Sequence, residues 1–213
     1  MYRKKKQFLF LLPFLLLITT YTSFHFLTQY FGQKTGYFLG FVFYWLFWCL
    51  AVPILLIGKN AVIDLLKTKQ PLFGKRKMLN ILLLILPLIL VYSYEFPKVL
   101  KLADALIIFA SAGISIVNAT SEEILWRGTF LKLMGENSKW YIPFSSFGFA
   151  IWHFAPLTVF TNHNPGGAFS FVLVSFLLGI IYSYVAKNTK SISMTTVSHI
   201  LFDFSGLGAR IYF

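Results

Sequence analysis

An all-α polytopic bundle of about seven membrane-spanning helices is the fold class this sequence predicts. Three observations predict it. Apolar residues make up 57% of the 213 residues and charged ones only 12%, far from the balance of a water-soluble domain. The mean hydropathy is +0.71, and the apolar residues gather in runs long enough to cross a bilayer. Between the runs sit clusters of Lys and Arg, as between the spans of a multi-pass membrane protein.

The runs give spans at roughly Phe8–Phe31, Gly36–Ile57, Met78–Phe96, Leu102–Met134, Trp140–Phe160, Ala168–Ala186 and Ile192–Leu207. Residues 1–213 therefore read as a single membrane domain, with little room for a soluble one. The first run follows Arg3, Lys4, Lys5 and Lys6 as a signal peptide would. It is too long for one and lacks a small-x-small cleavage pattern followed by polar chain, so it is expected to stay as the first helix. Pro13, Pro53 and Pro87 fall inside the first three spans, where they kink helices. The fourth span exceeds what a bilayer needs. The seventh is short and carries polar residues, as expected of a helix that faces protein. In the basic connection 58–77, Ala61, Val62, Leu65 and Leu66 share one helical face beside Lys59, Lys67 and Lys69. That pattern fits a short helix on the inner membrane surface or, equally, a solvated loop.

The net charge of +12 would suggest nucleic acid in a soluble protein. Here the basic residues flank apolar runs, so they read as orientation signals and contacts to anionic lipid, and no nucleic-acid partner is expected. With the N-terminus in the cytoplasm, the inner side takes Arg3 to Lys6, Lys59, Lys67, Lys69, Lys75, Arg76, Lys77, Lys132, Lys139, Lys187 and Lys190. Only Lys34, Lys98, Lys101 and Arg210 then fall outside, which predicts a cell-membrane protein with its C-terminus out. The single cysteine, Cys49, allows no intrachain disulfide and lies in an aromatic run that suits a packed thiol.

Into this apolar chain the fourth span brings Glu122, Glu123 and Arg127. Ionisable groups at such depth are costly and mark functional sites. Ser111, Ser115 and Ala119 form a small-residue stripe that leads to them, so this face is expected to pack inward. Neighbours on a helix point about 100° apart, so the two glutamates have different partners. Arg127 is four residues after Glu123, the favourable order for an ion pair, which leaves Glu122 free to act on water. His199 and Asp203 are also four apart, and His153 comes from a separate helix, the fifth span. At 1.5 Å per residue, Glu122, His153 and His199 lie roughly 18, 20 and 10–13 Å from the inner ends of their spans, at similar levels.

Such a group suits water activation, with a carboxylate as base and histidines that hold a metal or stabilise an oxyanion. His153 and His199 with Glu122 or Asp203 would suit zinc. A metal-free route fits as well, and the H-E-x-x-H pattern of soluble zinc proteases is absent from the sequence. Several other features read blandly: His25 and His163 as structural or interfacial, Asp104 as a cap, and Asn118-Ala119-Thr120 as a chance glycosylation pattern. Trp126 and Trp152 read equally as cavity lining and as packing.

Glu122-Glu123-x-x-x-Arg127, Phe149-x-x-x-His153 and His199-x-x-x-Asp203, in this order, resemble the three motifs of the CPBP family. That family, CAAX protease and bacteriocin processing, is also called Abi. The resemblance covers roughly 103–208, and the first three spans match only as hydrophobic helices. It implies an intramembrane endopeptidase related to the type II CAAX prenyl proteases, with Glu122 as general base. The implied substrates are hydrophobic or membrane-anchored peptides and proteins. The alternative it allows is a non-catalytic bacteriocin immunity or regulatory protein. The third motif often ends in asparagine, so Asp203 adds a negative charge and leaves open whether the position donates a hydrogen bond, binds metal or titrates.

Overall fold

The computed structural model describes residues 2–160 and 166–213, so His163 lies outside the described residues. Its described secondary structure is helical, as expected. The helices that place the site are α1 (Tyr2–Phe31), α2 (Gln33–Ile57), α3 (Lys59–Leu66), α4 (Lys77–Tyr94) and α5 (Ala105–Met134). They are followed by α6 (Tyr141–Trp152), α7 (Gly167–Thr189) and α8 (Ser193–Ser205). Among the described residues, five are long and apolar enough to cross a membrane: α1, α2, α4, α5 and α7.

The expected fifth and seventh spans differ from this. They form α6 and α8, of 12 and 13 residues, which at 1.5 Å per residue reach about 20 Å against an apolar thickness of about 30 Å. Local chemistry ends both. Pro156 has no N–H to give the carbonyl of Trp152, and the chain leaves α8 through Gly206 and a left-handed Leu207 (φ 45°). α6 leads directly into His153 and α8 carries His199, and both helices are held by the long ones. α6 packs along α7 and α1, and α8 along α5 and α4.

The polarity is that of a membrane protein. Leu11, Ile18, Leu90, Phe109 and Phe169 face outward, while Ser111, Ser115, Ser145, Ser146, Ser183, Thr195 and, on α5, Glu122, Glu123 and Arg127 are buried. Close approach replaces hydrophobic driving force between helices in lipid. A methyl group on Gly148 would fall onto the Trp126 ring and Pro13, and one on Gly179 would come within 2.9 Å of the Ser146 Cα.

Contacts also gather the basic segments at one end. Lys5 Nζ donates to the Leu56 carbonyl at 2.7 Å, Lys132 pairs with Asp64 at 3.6 Å, and Asn188 donates to Asn80 at 3.2 Å. Residues 59–66 form the helix of the 58–77 connection. It buries Val62 and Leu65 against Ile124, Ala186 and Ile192, so its apolar face covers the bundle, while Leu66 stays exposed. Lys69 beside Asp64 holds that exposed carboxyl below the usual carboxylate range. At the opposite end Gln33 donates to the Val159 carbonyl and Lys34 to that of Tyr212.

Candidate active site

Glu122 is the last residue of the α-helical part of α5, and Glu123–Thr129 continue as a π-helix. Wider turns of this kind concentrate at functional sites, and they free backbone carbonyls that must be satisfied in a dry interior. The sequence supplies hydroxyls for this. Ser145 donates to the Trp126 carbonyl at 2.6 Å, Tyr141 to that of Arg127 at 3.3 Å and Thr129 to that of Ile124 at 2.9 Å. The π turn thereby swings Arg127 inward. Residues 121–130 are buried without exception.

The two glutamates face different partners. Glu123 Oε1 lies 3.1 Å from Arg127 Nη1 and 3.0 Å from His199 Nδ1. The guanidinium sits 4.0 Å above the Phe149 ring and 5.4 Å from that of Tyr182, a desolvated cation held by an ion pair and two aromatic faces. Glu122 accepts from Tyr44 Oη at 3.2 Å and from Asn118 Nδ2 at 3.3 Å, and its Oε2 is 3.5 Å from His199 Nε2. Asp203 Oδ1 is 3.4 Å from that same nitrogen. Because a carboxylate only accepts, the Glu123 contact puts a proton on His199 Nδ1 and turns Nε2 toward Glu122 and Asp203.

His153 stands slightly apart. Its Nδ1 lies 2.7 Å from the Phe149 carbonyl, which fixes the proton there and leaves Nε2 open. The ring is half-buried against Phe149, Trp152 and Phe171. Phe149 joins the two histidines, with its centroid 5.0 Å from the ring of His153 and 5.6 Å from that of His199.

Among the described residues, the ligand-bearing atoms of Glu122, His199 and Asp203 lie within 4.8 Å of one another. Three of the expected candidate ligands, Glu122, His199 and Asp203, thus come together, and His153 is not part of this group. The reason is local, since His153 follows the last turn of α6 while Asp203 sits one turn after His199 on α8.

Other readings meet definite surroundings. Asp104 caps α5 by accepting from the Ile107 N–H at 2.8 Å, Cys49 is fully buried, and His25 is exposed. Asn118 lies inside α5 with its side chain in the site, where it donates to Asp203 Oδ2 at 2.8 Å. Trp126 is both packing and polar, because its indole N–H donates to Tyr44 Oη at 2.9 Å. Sequence reasoning missed Tyr44, Trp45 and Asn118. Trp45 donates to Asn118 Oδ1 at 2.8 Å. The available signal was a polar amide four residues before Glu122, on the same helical face.

No curated protein and no solved structure matches the chain. Residues 104–205 match the family model described as Type II CAAX prenyl endopeptidase Rce1-like. The matched segment starts at the cap of α5 and ends with α8, so it holds every helix that carries a motif residue. Through this segment, which is just under half of the chain, the protein is similar to the Rce1-like family of type II CAAX prenyl endopeptidases.

Proposed function

We propose that the chain is an intramembrane endopeptidase that hydrolyses hydrophobic or membrane-anchored peptides with water activated by Glu122. The observation that carries this reading is the buried contact of Glu122 Oε2 with His199 Nε2 at 3.5 Å, inside a helical membrane bundle. Glu122 takes the proton of the attacking water. His199, anchored through Nδ1 on Glu123, presents Nε2 to the same space, and as an imidazolium it stabilises the oxyanion. Arg127 pairs with Glu123 at 3.1 Å and so offsets its charge. His153, with its proton committed to the Phe149 carbonyl, keeps Nε2 as an acceptor that orients water. Asp203 shares His199 with Glu122.

The donor set of one imidazole and two carboxylates suits zinc, with Glu122, His199 and Asp203 as the residues to hold it. A bound ion there would acidify a water molecule and polarise the scissile carbonyl. Metal analysis of the purified protein, with turnover measured after chelation and again after zinc is restored, tests that part alone.

The family description names a prenyl endopeptidase, and neither it nor the geometry speaks for bacteriocin immunity. The probe is a fluorescence-quenched peptide with a farnesylated CAAX end, in detergent micelles, beside the same peptide on an unprenylated membrane anchor. Cleavage of either by the wild type is expected, with Glu122→Gln at least about a hundredfold slower. Equal cleavage by Glu122→Gln removes the base assignment.

A further inference from the structure

Tyr44 and Trp45 are consecutive residues of α2, far outside the matched segment 104–205. Tyr44 reaches Glu122 directly, and Trp45 reaches Asn118, whose amide contacts Glu122 and Asp203. They stand where α2 passes into its own π-helical stretch, Tyr44–Ala51, whose wider turn sets successive side chains at a smaller angle than an α-helix does.

Two indole groups fix the direction of every hydrogen bond here, because an indole N–H can only donate. Trp126 Nε1 donates to Tyr44 Oη at 2.9 Å, so the Tyr44 proton is available for Glu122 Oε1, 3.2 Å away. Trp45 Nε1 donates to Asn118 at 2.8 Å, so the amide turns its oxygen to Trp45 and its NH2 to the carboxylates. That NH2 lies 2.8 Å from Asp203 Oδ2 and 3.3 Å from Glu122 Oε2. Each oxygen of Glu122 is thus held by its own donor, and each donor is aimed by a tryptophan. The Tyr44 ring is fixed in turn by stacking on Trp152, at a centroid distance of 3.8 Å and 18° between planes.

We propose that Tyr44, Trp45 and Asn118 are positioning residues that hold the Glu122 carboxylate in its reactive orientation, so that α2 completes a site whose motifs all lie on later helices. This rests on the reading of Glu122 as the base. None of the three is assigned a contact with substrate, so their loss acts on turnover rather than on affinity. Asn118 has the further task of separating Glu122 and Asp203, the two carboxylates that share His199 Nε2.

The test compares kcat and KM for the farnesylated CAAX probe in the full-length wild type and in Tyr44→Phe, Trp45→Phe, Asn118→Leu and Asn118→Asp, with Glu122→Gln as reference. Tyr44→Phe keeps the stack on Trp152 and Trp45→Phe keeps an aromatic ring, so folding is preserved while a donor is lost. Tyr44→Phe is expected to lower kcat about tenfold, as for a lost hydrogen bond to a charged group, and Trp45→Phe, which loses a bond to a neutral amide, about threefold to tenfold, each with KM within about twofold. Asn118→Asp, which adds a third negative charge, is expected to lower kcat more than Asn118→Leu. Wild-type kcat in all four with an inactive Glu122→Gln overturns the positioning role and leaves the endopeptidase reading intact. A raised KM at unchanged kcat overturns it too, since it places these residues on the substrate. Full activity of Glu122→Gln overturns both.

A second measurement needs no turnover. In protein labelled with 15N-tryptophan, Glu122→Gln is expected to shift the indole resonances of Trp45 and Trp126 and to leave that of the exposed Trp140 in place. Unmoved Trp45 and Trp126 signals overturn the proposal whether or not the probe is cut.

Discussion

Arg127 shows at the scale of one residue how this interior tolerates charge. Its guanidinium is fully buried, with Glu123 as its ion partner and Phe149 and Tyr182 as its walls. Removal of one partner strands the other in a low dielectric, which costs about 3–5 kcal/mol, whereas removal of both costs less because no charge is left alone. Thermal unfolding in detergent should therefore place the midpoints of Arg127→Met and Glu123→Gln below that of the double variant. A double variant as unstable as the two losses added together would show that the pair is not coupled. This pair was legible in the sequence because it is local, four residues apart on one helix. The hydrogen bonds of Tyr44 and Trp45 span 78 and 73 residues. Contacts between distant helices leave no period or spacing in the chain, and an aromatic residue in an apolar run looks like packing until its polar edge is seen to meet a partner.

At the scale of elements, short helices position the site because long ones fix them. α6 is clasped between α1 and α7 through contacts that only small residues permit. Gly148 meets Trp126 and Pro13, and Trp126 is the residue that orders Tyr44. Gly148→Val should cost about 1–3 kcal/mol, as for overpacking of a filled interior. It should also lower turnover, since the displaced Trp126 ring disturbs the donor chain to Glu122. A lowered unfolding midpoint with unchanged kcat would break that link between packing and site. The stripe of Ser111, Ser115 and Ala119 was expected to face inward and does so, with Ser111 accepting from the Ala209 N–H at 3.1 Å. Helix identity and inward faces were readable from periodicity and small-residue spacing. The shortness of α8 was readable too, since the last apolar run is itself short, whereas that of α6 was not, because hydropathy runs on past Pro156 after the backbone can no longer continue the helix.

At the scale of the whole molecule, the distribution of charge makes a claim about orientation that the fold sharpens. The N-terminal basic cluster, the 58–77 connection and the segments around Lys132 and Lys190 meet at one end, tied by Lys5 to Leu56, Lys132 to Asp64 and Ser191 to the Lys67 carbonyl. The other end holds Lys34, beside Tyr212. Basic residues near span ends stay on the cytoplasmic side, so the orientation expected from the charge pattern has the first end inside. Cys49 is buried and is replaced by serine, so that single cysteines introduced at Lys69 and Lys101 report alone. In intact cells a membrane-impermeant maleimide should label Lys101→Cys and spare Lys69→Cys, and in inverted vesicles the pattern should reverse. Labelling of Lys69→Cys from outside would invert the bundle.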